Sequence, residues 1–252
     1  MPVLYDAPGR QRWVTVTETA GTRFLFLGDA EEGAMRLDSE EPVFDYLWFH
    51  KSSALTETPL RRALVLGAGA FTTGKGLALD HPDAAVDAVD SEPDLGQVGR
   101  GYFRLDRPEF AGITFHGQPA EDFLAGSVPT YDFVFDDLFD GFQHVPLTCR
   151  GAEHFARLRR SLAEGGLCVK NLIWDPHGED TRAACTEATA GLRAVFATHA
   201  VVALGDPSRG HNLLLLGLTG MRPFEWATAG PRLAAAGVPE AVLRQVHVMS
   251  FP

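Results

Sequence analysis

Two hydrophobic rhythms divide the chain. From Trp13 to about Leu37 apolar and polar residues alternate, as in Trp13-Val-Thr-Val-Thr and Arg23-Phe-Leu-Phe-Leu, with turn residues at Ala20-Gly21-Thr22 and Gly28-Asp29. That period of two predicts a small antiparallel sheet of two or three strands, marginal alone and in need of something larger to pack on. Over residues 44–55 the apolar positions Phe44, Leu47, Trp48, Ala54 and Leu55 recur at roughly helical spacing, and Pro59 breaks the run. Beyond Arg61, short β-rich runs at 63–66, 85–89, 113–115, 133–135, 167–173, 200–204 and 212–216 take over. Helix-compatible stretches at 73–81, 93–103, 151–163 and 181–196 separate most of them. This alternation predicts a mainly parallel, seven-stranded α/β sheet with helices on both faces. The expected division is a β-domain plus helix over residues 1–57 and the larger α/β domain over 58–252. Within 221–252 only a short helix near 239–245 is legible.

The sharpest local motif is Leu64-Val-Leu-Gly67-Ala-Gly69-Ala-Phe-Thr-Thr-Gly74-Lys, a buried strand, a glycine turn and a helix start. Gly67 and Gly69 let the backbone turn sharply and approach a ligand, and the helix amides beyond can receive a polar or negative group. Asp90 ends the next strand about twenty residues on, where a carboxylate accepts hydrogen bonds from ribose hydroxyls. A dinucleotide, the adenosyl group of S-adenosylmethionine, and a purely structural turn all fit this pattern. The full GxGxxG fingerprint fails at Thr72 and there is no Walker GK[ST], so the adenosyl reading leads. A second chemical signal follows Phe133-Val-Phe. Asp136 and Asp137 emerge at the mouth of a buried strand, and strand neighbours point to opposite sides, so one of the two faces a pocket there.

With these motifs in place, residues 61–173 resemble the core of the spermidine synthase-like group, the polyamine aminopropyltransferases and their relatives. The matching residues are Gly67-Ala-Gly69-Ala, Val89-Asp90-Ser-Glu92-Pro93, Tyr102-Phe103, Tyr131-Asp132-Phe-Val-Phe-Asp-Asp137-Leu-Phe-Asp140, Val145-Pro146-Leu-Thr148 and the Leu162-Ala-Glu-Gly165-Gly166 turn. The small β-domain in front also fits that family. The resemblance implies a Rossmann-like, methyltransferase-type fold and a transferase. Its donor would be S-adenosylmethionine or its decarboxylated form, its acceptor a small-molecule amine or other nucleophile, and its assembly a homodimer. It implies that Asp137 is the general base and that Asp140 helps hold the cationic nucleophile. Gly67, Ala68, Gly69, Asp90, Ser91, Gln118 and Asp137 would bind the donor. Tyr46, His50, His144 and Trp174, with Asp175 beside it, are candidates for the acceptor side.

Three departures from the family pattern bear on the substrate. The glycine-loop aspartate that contacts the aminopropyl amine is replaced by Ala70. The polyamine-recognising Tyr-(His/Gln)-Glu triplet aligns with Phe44-Asp45-Tyr46, without the glutamate. The adenine-reading Gly-Asp pair appears as Gly117-Gln118. The expectation is therefore transfer of an aminopropyl group, or a close variant of it, with altered donor or acceptor choice. Methyl transfer, movement or cyclisation of the aminocarboxypropyl arm of intact S-adenosylmethionine, and a binding module without catalysis are the alternatives.

Composition narrows the partners. The 252 residues carry a formal charge of −11 and no Lys/Arg-rich run, which argues against nucleic acid or an anionic membrane as the main partner. Five strand-end acids, Asp90, Glu92, Asp136, Asp137 and Asp140, are positioned to meet a cationic substrate. The nine histidines and three cysteines show no metal-ligand spacing, and no GxSxG elbow occurs, so no metal is expected. Three cysteines without CxxC spacing, the absence of a signal-peptide pattern and only short apolar runs predict a cytoplasmic protein.

Overall fold

The N-terminal alternation folds into four antiparallel strands in the order of the chain: β1 (Val3–Pro8), β2 (Trp13–Thr19), β3 (Thr22–Leu27) and β4 (Ala30–Arg36). This is a computed structural model, and it describes residues 2–126, 129–140, 144–206, 208–220 and 223–249. β2, β3 and β4 are the strands announced over Trp13 to Leu37; β1 is added in front, because it is largely exposed and carries no clean alternation. Its inner positions Val14, Val16, Leu25 and Leu27 pack on Ala68, Ala70 and Phe71 of the glycine loop and on Leu95 and Val98. The small sheet is thus a lid seated on the loop that the sequence marked for ligand binding.

The larger sheet has eight strands in the order β12-β10-β11-β9-β8-β5-β6-β7. They are β5 (Arg62–Leu66), β6 (Ala85–Asp90), β7 (Ile113–Gly117), β8 (Tyr131–Asp136), β9 (Leu162–Trp174), β10 (Thr198–Leu204), β11 (His211–Leu218) and β12 (Val246–Val248). β5 to β9 pair in parallel, whereas β10, β11 and β12 join antiparallel. The helices are α1 (Thr72–Asp80), α2 (Leu95–Tyr102), α3 (Ala120–Ala125), α4 (Ala152–Ser161), α5 (Glu179–Val195), α6 (Trp226–Ala235) and α7 (Glu240–Leu243). Alternate residues of each central strand face opposite layers. Leu64, Leu66 and Val134 meet Phe155 and Leu192 on one side, and Ala63, Val65, Phe133 and Phe135 meet Phe49 and Leu77 on the other. The strand order reverses at β5, between β6 and β8, and the crevice beyond those carboxyl ends is where such sheets bind ligands.

Two sequence expectations change. The segment Asp45–Leu55 is a 3₁₀ helix, not an α-helix. Its polar side chains favour the tighter turn: Ser52 Oγ donates to Phe49 O and Thr56 Oγ1 to Ser53 O, each three residues back. The C-terminal stretch adds α6 and the edge strand β12 to the short helix that was legible, and Pro231 inside α6 had masked its pattern. Among the described residues no helix is long and apolar enough to cross a membrane.

Candidate active site

The end of β5 sets the geometry. Gly67 adopts φ +85°, and a side chain there would collide with the carbonyl of Asp137. The chain after β8 runs against this turn, with Asp137 N donating to Leu66 O at 2.8 Å. The backbone of Asp137 is therefore fixed before its side chain is considered. Tyr46 Oη donates to Oδ2 of Asp137 at 3.0 Å, and Asn171 Nδ2 donates to Oδ1 at 2.8 Å. Asn212 Nδ2 in turn donates to Asn171 Oδ1 at 3.1 Å. Burial pushes the Asp137 carboxyl up to about 6 against the pull of these two donors.

Asp136 turns the other way, into the layer below. Its Oδ2 accepts from Lys170 Nζ at 2.9 Å and lies 2.6 Å from His154 Nε2, and all three side chains are buried. Burial alone would raise the Asp136 pKa, but Lys170 and His154 outweigh it and hold the carboxyl below its ordinary value. Glu92 is also withdrawn from substrate: fully buried, it accepts from the backbone N–H groups of Arg10, Gln11 and Arg12 at 2.9, 2.8 and 3.2 Å. Both acids had been expected to meet a cationic substrate; both serve the scaffold.

The cleft itself encloses about 920 Å³ and is lined by Gly67, Ala68, Gly69, Asp90, Ser91 and Asp137, with Tyr46 and Asn171 beside Asp137. Asp90 accepts from Ala68 N and Glu92 N, each at 3.0 Å, and burial raises its pKa against those bonds. Seven carboxyl side chains line the cleft among the described residues, against one basic group, Arg12. Arg12 pairs with Glu32 at 2.9 Å. Burial pushes Glu32 up to about 7, ahead of the arginine's pull, and the charges of Asp90 and Asp137 add to the rise.

The remaining sequence candidates lie elsewhere. Asp140 and His144 line a second cavity of about 290 Å³, which shares Pro146 and Ile173 with the main cleft. Asp140 N donates to His144 O at 3.0 Å there. His50 is buried, with Nδ1 2.7 Å from Leu47 O and Nε2 3.2 Å from Asp80, and it does not line the cleft. Trp174 packs near His211, and both it and Asp175 lie outside the lining. Gln118 is exposed and outside the lining, while Pro119, Ala120 and Glu121 form that wall. Asn171, Asn212, Glu32 and Arg12 were not singled out from the sequence. For Asn171 alternation was a usable signal, because Lys170 and Asn171 must face opposite layers. Among the described residues no group of three or more His, Cys, Asp or Glu side chains is placed to hold a metal ion.

No protein-family profile matches the sequence, and no curated protein matches it. Solved structures do. A probable spermidine synthase from Corynebacterium glutamicum aligns over 99% of this chain and 91% of its own, at 19% identity and a TM-score of 0.79. A spermidine synthase solved with the transition state analogue AdoDATO aligns over 88% of this chain and 74% of its own, at 13% identity and a TM-score of 0.62. Human methyltransferase-like protein 13, solved with SAH, aligns over 82% of this chain and 94% of its own, at 19% identity and a TM-score of 0.59. The chain therefore has the spermidine synthase-like form of the methyltransferase-type α/β fold.

Proposed function

We propose that this protein transfers an alkyl group, the aminopropyl arm or a close variant of it, from an S-adenosylmethionine-type sulfonium to an amine. The observation that carries this reading is Asp137, a half-buried carboxylate aimed into an acidic cleft at the strand-order reversal and held by Tyr46 and Asn171. Asp90, Ser91 and the Gly67–Gly69 turn suit the ribose and thioether side of such a donor, and Pro119 and Ala120 offer its base an apolar flank.

The chemistry asks little more. The acidic lining draws in a cationic acceptor. Asp137 removes one proton from its ammonium group, and the neutral nitrogen then bonds to the carbon beside sulfur. The carbon–sulfur bond breaks, its electron pair stays on sulfur, and a neutral thioether leaves. Since the sulfonium is already a good leaving group, alignment supplies much of the remaining rate.

Methyl transfer is the second reading, favoured by the likeness to a methyltransferase solved with SAH. Product analysis after incubation with each donor and an amine separates the two. Methylthioadenosine is the expected nucleoside; adenosylhomocysteine in its place would overturn arm transfer.

A further inference from the structure

The loop position at which the family resemblance expects an acid for the donor's amine is Ala70, buried beneath the N-terminal sheet. β4 lies directly on this loop. A Cβ built on Gly33 would sit 2.7 Å from Ala70 N, and one on Gly69 would sit 2.6 Å from Glu32 O. The closeness leaves no room for a longer side chain between them, and it brings the Glu32 carboxyl to the same wall of the cleft. Glu32 lines the same cleft as Asp90 and Asp137, and its carboxyl feels both of their charges. The carboxylate lost from the loop is thus supplied from the lid.

Arg12 accompanies it, and its position is built in. The buried Glu92 carboxylate grips three successive amides, at Arg10, Gln11 and Arg12, and so fixes the turn that presents the Arg12 guanidinium to Glu32. For a donor ending in a bare ammonium, an arginine here is a liability, since it cancels one of the acids that would attract it. For a donor ending in an α-amino acid it is needed, because a carboxylate entering a cleft with seven acids meets net repulsion everywhere except beside the sole basic group among the described lining residues. One acid and one base in contact match an ammonium and a carboxylate carried on a single carbon. The guanidinium has five N–H donors, enough to keep Glu32 and still take a ligand carboxylate.

Resting on the adenosyl-donor reading above, we propose that the donor is intact S-adenosylmethionine and that Arg12 and Glu32 clamp its amino-acid end, Arg12 the carboxylate and Glu32 the ammonium.

The test is equilibrium binding at pH 8 of three probes, methylthioadenosine, decarboxylated S-adenosylmethionine and intact S-adenosylmethionine, to the full chain and to Arg12→Gln, Arg12→Lys and Glu32→Gln. In the unaltered protein the intact donor binds at least as tightly as the decarboxylated one. Arg12→Gln weakens the intact donor about tenfold or more and leaves the other two within about twofold, and Arg12→Lys restores part of the loss. Glu32→Gln weakens both amine-bearing probes and spares methylthioadenosine. Equal loss of all three probes in Arg12→Gln, or clear preference of the unaltered protein for the decarboxylated donor, overturns the clamp while leaving an adenosyl site intact. Failure of every probe, methylthioadenosine included, to bind the unaltered protein overturns the adenosyl reading itself.

Discussion

Tyr46 donates its phenolic hydrogen to Oδ2 of Asp137 across 3.0 Å, joining residues 91 positions apart in the chain. Burial raises the Tyr46 pKa well above 10, with the Asp137 charge adding to it, so the phenol stays protonated and acts only as a donor here. Asp137, at about 6, is mostly ionised at neutral pH yet basic enough to accept a proton. The pair fixes the Asp137 carboxyl in the wall of the cleft, and four expected outcomes rest on it and its neighbours.

Asp137→Asn should lower kcat by about 10²- to 10⁴-fold, the usual span for a lost general base, with donor affinity nearly unchanged. Single-turnover rates beside equilibrium donor binding check both halves. Full activity in the variant removes Asp137 from the role.

The same substitution should not cost stability at neutral pH. The Asp137 pKa rises from 3.8 to about 6 on folding, so the folded state holds its proton more tightly. That advantage is present below about pH 4 and is lost as pH rises through 6; the buried charge then costs up to about 3 kcal/mol. Thermal unfolding of Asp137→Asn should therefore match or exceed the unaltered protein at pH 8, and lose that advantage near pH 4. A lower Tm at pH 8 contradicts it.

Tyr46→Phe removes one of the two donors that pull the Asp137 pKa down. Its kcat should fall only several-fold, but the acid limb of the pH–kcat profile should move to higher pH. Asn171→Ala should move it the same way. An unshifted limb in both variants would mean that neither side chain tunes the base.

Lys170→Met should destabilise the fold by about 3–5 kcal/mol, because it strips a cation from Asp136 in the fully buried Asp136–Lys170–His154 cluster. Adding Asp136→Leu should recover much of the loss, since an apolar pair avoids the stranded charge. Urea unfolding of the single and double variants measures both effects. A double variant as unstable as the single one contradicts this account.

Local periodicity announced much of the architecture. The period-two run from Trp13 and the glycine turn at Gly67–Gly69 marked the lid sheet and the loop it covers, and the β-rich runs from Ala63 onward marked the central strands. These signals are legible because burial of one face, or of both, dictates residue type over five to ten positions. β1, α6 and β12 escaped because an exposed edge strand and a helix holding Pro231 carry no such pattern.

The site was legible only along the strands that build it. Gly67, Asp90 and Asp137 sit at the carboxyl ends of β5, β6 and β8, neighbours in the sheet, and the sequence alone placed them at one crevice. Which acids line the cleft was settled by packing between distant segments. Asp136 turns to Lys170 and His154, Glu92 is taken by three amides of the lid, and Asp140 and His144 line a second cavity. Arg12 and Glu32 reach the cleft only because the lid sheet seats on the glycine loop. A carboxylate's role depends on which donors desolvate it and bond to it, and those donors here lie up to 91 residues away in sequence.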